Sequence, residues 1–263
     1  MSYQPFIESS AIAPAEDLRA LMAEHGYLFF RALVPGDEVL KVRLAALQLC
    51  DEEGWLDPDA DLMEGRVRPG MKPTGEGQAD YMKMYRKLLK TPIFHAFPDL
   101  PVLREVAAKL LDIEAAEVLT HPRRIGRVTF PHNVGATTPA HQDHFYIRGA
   151  VDTFSCWIPL GDCPMQLGNL AVWNGSHQQG FIEHTETIPG AIGGRGVPID
   201  ESKADWHSSD FELGDVLFFH AFTIHKALPN LTENLLRVST DNRYQRAQDK
   251  IEPDALLPHF NLQ

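Results

Sequence analysis

Ala140-His-Gln-Asp-His-Phe-Tyr-Ile147 and, later in the chain, Gly214-Asp-Val-Leu-Phe-Phe-His-Ala-Phe-Thr-Ile-His-Lys-Ala-Leu-Pro-Asn230 are the two stretches whose reading decides the fold. The first reads as a strand. Alternate strand residues share a face, so His141 and Asp143 converge while Gln142 turns away. One imidazole and one carboxylate are two thirds of a facial metal triad. The second stretch starts at a Gly-Asp turn, runs apolar, and delivers His225 just past the end of a strand. Arg237-Val-Ser239 follows, again at alternate positions. Two histidines and one carboxylate leave open the positions on Fe(II) that a chelating 2-oxoacid and O2 require. Arg237 offers a rigid fork for the far carboxylate of that acid, and Ser239 a second hydrogen bond. His220 is the rival third ligand, but among Phe218, Phe219, Ala221 and Phe222 it reads as a core or gating histidine. His144 points to the opposite face from the pair, and His132, His177 and His207 fall in turn-like contexts. His-x-Asp alone is a weak signal; its weight comes from the order, the strand contexts and the Arg-x-Ser tail together.

Around these stretches, short β-rich runs separated by turn clusters begin near residue 123: Arg127 to Phe130, Ala140 to Arg148, Thr153 to Leu160, Leu170 to Trp173, Asp215 to Phe219 and Leu235 to Thr240. Such spacing suggests a sandwich or barrel. Upstream, residues 14–25 have helical spacing, with Leu18, Leu21 and Met22 on one side and Gly26 as a stop. Tyr27 to Val34 is a short apolar strand. A second helix over roughly 37–52 takes Asp37 as its N-cap, and helical pattern returns near 81–90 and 99–112. Residues 54–80, rich in Gly, Pro and Asp, read as a long surface loop, either a lid or a passive connection. The expected class is α+β: a double-stranded β-helix (a jelly-roll, cupin-like barrel) over about 121–250, flanked by N-terminal helices over about 1–120, in one domain spanning 1–263.

A hydrophobic content of 44% and a charged content of 23% are ordinary globular usage, which excludes disordered and fibrous classes. With 24 basic against 36 acidic residues the net charge is −12, a field that repels nucleic acid. Three cysteines form no CxxC pair and point to a reducing compartment. The N-terminus shows no basic start followed by an apolar run, and no stretch of about 18 apolar residues exists to span a membrane. The expectation is a cytoplasmic protein acting on a small molecule, without nucleic acid or membrane partners and with its oligomeric state open. Against the acidic background, residues 66–90 hold Arg66, Arg68, Lys72, Lys83, Arg86, Lys87 and Lys90, and Arg123, Arg124 and Arg127 follow. These read either as a solvated charged face or as receivers of an anionic group on the substrate.

Taken in order, His25-Gly-Tyr-Leu-Phe-Phe-Arg-Ala-Leu-Val34, Thr138-Pro-Ala-His-Gln-Asp143, Ser155-Cys-Trp-Ile-Pro-Leu-Gly-Asp162, Asn174-Gly-Ser-His177, Gly214 to His220, His225-Lys-Ala-Leu-Pro-Asn230 and Arg237-Val-Ser239 resemble the phytanoyl-CoA dioxygenase-like family of Fe(II)/2-oxoglutarate oxygenases. The resemblance covers nearly the whole chain. It implies His141, Asp143 and His225 as iron ligands, Arg237 as anchor of the 2-oxoglutarate C5 carboxylate, Trp157 lining the cosubstrate pocket, and Asn230 and Gln142, the middle of His-Gln-Asp, as further residues of the cosubstrate site. The implied reaction oxidises, most simply hydroxylates, a small molecule with 2-oxoglutarate and O2, releasing succinate and CO2. Met165-Gln-Leu-Gly-Asn169 stands where the family often has Glu-Asn-Gly, which bears on the pocket rim. Position 143 is Asp rather than the small residue of related halogenases, so a halide ligand has no vacancy.

Two other readings stay open on the residues alone. A cupin-like metalloenzyme could use the same ligands without 2-oxoglutarate, although it would have no need of Arg237-x-Ser239. A non-catalytic sensor could keep an inherited barrel, although all three ligands and the arginine are present.

Overall fold

The computed structural model describes residues 2–133, 137–184, 186–187 and 194–260. Helix α1 (Ala15–His25) buries Leu18 and Met22, one turn apart, and carries Glu16 and Asp17 where the helix N-terminus favours negative charge. Gly26 ends it in the left-handed conformation at φ 77°. A side chain could not replace it, since a Cβ would lie 2.8 Å from Thr223 Oγ1. Strand β1 (Tyr27–Phe30) follows, fully buried.

Helix α2 (Gly36–Glu52) starts one residue earlier than expected, and its N-cap is Pro35, not Asp37. Asp37 instead sits in the first turn, where its carboxylate faces the positive helix end. The fixed φ of proline sets the chain entry without a side-chain cap. Helices α3 (Ala79–Leu88), α4 (Pro92–Ala96) and α5 (Pro101–Leu111) complete the flank.

Strands β2 (Val118–Thr120), β3 (Ile125–Thr129), β4 (Phe154–Pro159), β9 (Val216–His220) and β11 (Arg237–Arg246) join β1 in the larger antiparallel sheet, ordered β1-β9-β4-β11-β2 with β3 also on β11. A smaller sheet of β10 (His225–Ala227), β5 (Leu170–Trp173) and β8 (Trp206–His207) lies opposite, and β6 (Glu186–Thr187) pairs β7 (Arg195–Gly196) in a hairpin. The two main sheets face each other without closing into a continuous barrel, the jelly-roll form of the expected double-stranded β-helix.

Pleating sorts each strand of the larger sheet between two cores. Val238, Tyr244, Cys156, Ile158 and Phe218 turn outward into one cluster with Leu18, Val42, Leu47 and Leu103 of the helices. Trp157, Leu217 and Phe219 turn inward against Leu170 and Val172 of the smaller sheet. On β11 the inward set is polar: Arg237, Ser239, Asp241 and Arg243. A polar inner rung on a central strand is costly unless it serves a site.

The 54–80 segment is no free loop. Leu56 bridges Val67, Arg66 bridges Leu235, and Thr74 Oγ1 bonds Gln78 and Asp80 just ahead of α3.

Candidate active site

The run 140–148 is not a strand. His141 makes a single bridge to His225, each amide N–H donating to the other's carbonyl at 3.0 Å. The chain then turns into α6 (His144–Ile147), with Asp143 already in helical conformation as its N-cap. Beyond His141 no strand lies alongside to continue the ladder, so the carbonyl of Asp143 is taken by the amides of Tyr146 and Ile147. His141 and Asp143 converge through this turn rather than through strand alternation. The bridge brings His225 to them from β10.

The potential ligand atoms of His141, Asp143 and His225 lie within 4.8 Å of one another, and all three residues are buried. The Asp143 Oδ1 atom is 3.6 Å from His141 Nε2 and 3.9 Å from His225 Nε2, and the two rings are 4.1 Å apart. Each imidazole has its Nδ1 on a backbone carbonyl, Pro139 O at 2.7 Å and Thr223 O at 3.0 Å. A carbonyl only accepts, so each Nδ1 carries the hydrogen and each Nε2 lone pair is left for a metal. Burial pushes the His225 imidazole down to about 3, with His141 adding to the effect, so the ring is neutral at neutral pH. Burial alone would raise the Asp143 carboxyl, but the Arg243 guanidinium and the two histidines hold it well below the usual carboxylate range. Its second oxygen, Oδ2, accepts from Ser155 Oγ and from Arg243 Nε at 3.2 Å and Nη2 at 3.0 Å. One oxygen is thus clamped and the other faces the histidines, a donor set that fits Fe(II).

Arg237 is buried at the inner end of the adjoining cavity. Its Nη1 donates to Ser239 Oγ at 2.7 Å and its Nη2 to Thr129 Oγ1 at 2.8 Å, while Nε has no partner among the described residues. Among the described residues it makes no ion pair. A buried cation held by hydroxyls alone fits the carboxylate of a bound acid. Trp157 lines the same cavity, with the Arg237 guanidinium 5.9 Å from the centre of its ring. Ser239 accepts from Arg237, which leaves its own O–H to donate.

Gln142 and Asn230 are placed differently from the expectation, since neither lines the cavities at the triad. The Gln142 amide donates to Gly180 O and Phe222 O and accepts from Ile182 N–H; the Asn230 amide donates to Thr129 O and Leu235 O. Both satisfy buried backbone groups around the site. His220 lies on the far side, near His177 and Phe154.

Several members of the basic clusters form ion pairs: Arg66 with Glu64, Lys83 and Lys87 with Glu53, and Arg124 with Asp99. Only Arg123 and Arg127 of the basic residues singled out reach the cavity beside the triad. Arg127 is tied to Glu76 of the 54–80 segment and to Asp241 of β11, so that segment forms part of the cavity wall.

Several working residues were not anticipated. Arg243 was legible in principle, two rungs beyond Ser239 on one strand face, as was Thr129 by alternation with Arg127. Ser155 stands in a quoted motif without a role. His184, whose Nε2 accepts from the Gln142 amide at 3.0 Å and so steadies the metal-binding turn, leaves no mark in the sequence pattern.

The phytanoyl-CoA dioxygenase (PhyH) family model matches residues 22–238. The chain belongs to this family. Within the phytanoyl-CoA dioxygenase family it is 32% identical over 254 residues to the 1-deoxypentalenic acid 11-beta-hydroxylase of Streptomyces exfoliatus, an alignment covering 92% of this chain and 85% of the relative. In fold it is similar to the epimerase SnoN in complex with Fe3+, alpha ketoglutarate and nogalamycin RO (TM-score 0.65, 18% identity, 91% of this chain and 86% of that one). The carbocyclase SnoK from nogalamycin biosynthesis is also similar (TM-score 0.64, 20% identity, 94% and 90%). The chain is an Fe(II)- and 2-oxoglutarate-dependent oxygenase.

Acid should loosen this structure through three buried histidines that are not metal ligands. Burial pushes His121, His184 and His220 each down to about 4. The acceptor roles of His184 Nε2 and of His220 Nδ1, which takes the Phe222 amide, agree with neutral rings. The unfolded chain binds these protons near pH 6.5 and the folded chain does not. Stability is therefore full above about pH 6.5 and falls as the pH drops toward 4. At pH 5.5 the three rings together cost about 4 kcal/mol relative to pH 7.5, or about 10 °C in melting temperature for a chain of this size. Thermal melts of metal-free protein at the two pH values check this; equal midpoints refute it.

Proposed function

We propose that this enzyme hydroxylates an unactivated C–H bond of a small, largely apolar carboxylic acid, with His141, Asp143 and His225 holding Fe(II) and Arg237 anchoring the far carboxylate of 2-oxoglutarate. The observation that carries the reading is a second chamber that shares His141, Asp143 and Arg243 with the first cavity but is not lined by Arg237. Ile125, Ile147 and Tyr146 give it apolar walls, and Arg123 and Arg243 give it cationic ones. The relative named for 1-deoxypentalenic acid acts on a molecule of this kind.

When bound, the iron and its 2-oxoglutarate supply the oxidation, with succinate and CO2 as co-products. The chain supplies the rest. Arg237, held by Ser239 and Thr129, orients the cosubstrate. The Asp143 clamp keeps one oxygen for the metal, and Phe219, 4.3 Å from the His225 ring, keeps that side of the centre dry. Because β1 and β11 belong to one sheet, we read residues 1–263 as one catalytic domain. The three cysteines are free and buried, in keeping with a cytoplasmic setting, and no described helix is long and apolar enough to cross a membrane.

The test is incubation with Fe(II), O2, 2-oxoglutarate and 1-deoxypentalenic acid. The expected result is succinate in step with a product one oxygen heavier than the acid. Oxidation indifferent to 2-oxoglutarate, or a product lacking the extra oxygen, would reject the reading.

A further inference from the structure

Arg243 carries more donors than its ion pair uses. Its Nε and Nη2 are both spent on Asp143 Oδ2, at 3.2 and 3.0 Å. Its Nη1 is buried and has no hydrogen-bond partner among the described residues, although the residue lines the second chamber and is only 5% exposed. Leaving a buried guanidinium donor unpaired is costly, so an acceptor brought by a ligand is stabilised at this nitrogen. Across the chamber, Arg123 donates to two backbone carbonyls of the C-terminal segment, Asp254 O at 3.1 Å and His259 O at 3.4 Å, and makes no ion pair among the described residues. The nearby carboxylates are committed: Glu76 and Asp241 to Arg127, and Asp143 to Arg243 and the histidines. The three arginines thus balance the three carboxylates, and Arg123 is the one with no carboxylate partner among the described residues, beside a metal site that adds positive charge.

Resting on the carboxylic acid reading above, we infer that Arg243 Nη1, together with Arg123, receives the substrate carboxylate. Arg243 thus links two functions through one planar group. One edge fixes the oxygen of Asp143 that does not face the metal, and the remaining nitrogen fixes the acid, so the substrate is positioned relative to the metal by a rigid spacer. The competing source of a carboxylate is the C1 end of 2-oxoglutarate, because Arg243 also borders the inner cavity. Arg123 does not border it, which favours the substrate.

The experiment is anaerobic calorimetry on enzyme loaded with Fe(II) and 2-oxoglutarate, using 1-deoxypentalenic acid and its methyl ester as probes. Wild type is expected to bind the acid at least about thirtyfold more tightly than the ester, the scale of a lost buried charge contact. Arg123→Gln and Arg243→Lys are each expected to shrink that ratio about tenfold. The lysine ammonium remains with Asp143 and cannot also reach the acid; Fe(II) is held saturating for each variant, so that a weaker metal site does not enter the acid-to-ester ratio. A wild-type ratio near one, or an unchanged ratio in both variants, overturns the inference. So does a weakened affinity of Arg243→Lys for 2-oxoglutarate with the acid-to-ester ratio intact, which would assign the contact to the cosubstrate. Acid bound with the full preference yet never oxidised would defeat the proposed reaction and leave this assignment standing.

Discussion

Asp143→Asn and His225→Ala are expected to end succinate production alike and to differ in what they do to the fold. Each removes one of three ligands. Losing a partner behind a ligand already costs 10–100-fold in metal affinity or activity, so losing a ligand is expected to cost at least about 10³-fold. The stability effects diverge because the two residues are buried for different reasons. His225 is neutral in the folded protein and makes one hydrogen bond, to Thr223 O, so its truncation leaves a small void costing about 1–3 kcal/mol. Asp143 is the ionic partner of Arg243, and neutralising it strands a buried guanidinium, at about 3–5 kcal/mol. In a chain of this length that is about 10 °C in melting temperature. Metal titration and thermal melts of both metal-free variants test the pair of expectations. Iron affinity within threefold of wild type in His225→Ala would remove the histidine from the centre.

Arg237→Gln has the second largest expected effect, and it falls on the cosubstrate alone. The guanidinium is wholly buried, held by two hydroxyls, and has no carboxylate of its own. Truncating one side of a buried charge contact costs 2–5 kcal/mol, which is about thirtyfold or more in the KM for 2-oxoglutarate. Arg237→Lys keeps the charge but loses the fork and is expected to fall between. The decisive comparison uses 2-oxopentanoate, which has the same reacting end and no far carboxylate. Wild type should prefer 2-oxoglutarate strongly, and Arg237→Gln should discriminate little between the two. A variant that keeps the preference would place the anchor elsewhere. Iron binding should not change in either variant.

Much of this centre could be read before any coordinates, and the reasons are physical. His141, Asp143, His225 and Arg237 are polar residues inside apolar or turn-bounded runs, where only a function explains their burial. The first helix was legible because Leu18, Leu21 and Met22 repeat at helical spacing, and Leu18 and Met22 are its buried residues. The geometry of the His-Gln-Asp turn was not legible. Strand and turn both bring the residues at 141 and 143 together, and the choice depends on whether a neighbouring strand is present, which is a tertiary fact. Gln142 and Asn230 were misplaced for a related reason. An amide in a motif looks like a ligand contact, while its actual partners are backbone carbonyls and amides far away in sequence. Arg243 went unread because an arginine near the end of a strand is usually solvated. Only the pairing of β11 with β4, which sets it beside Ser155, shows that both grip the same oxygen.

The inward rungs of β11 act as a ruler. One pleat sets Arg237 at the deep end, Asp241 beside Arg127 in the middle and Arg243 against the metal-binding turn, so a residue inserted anywhere along it would exchange every inner side chain for an outer one. The machinery for handling 2-oxoglutarate and iron therefore cannot be retuned piecemeal on this strand. The outer wall is different: Arg123, Glu76 and His259 come from three separate connecting segments, each replaceable without shifting the register of β11. A fold divided in this way can exchange its rim for new molecules while its oxidising centre stays the same.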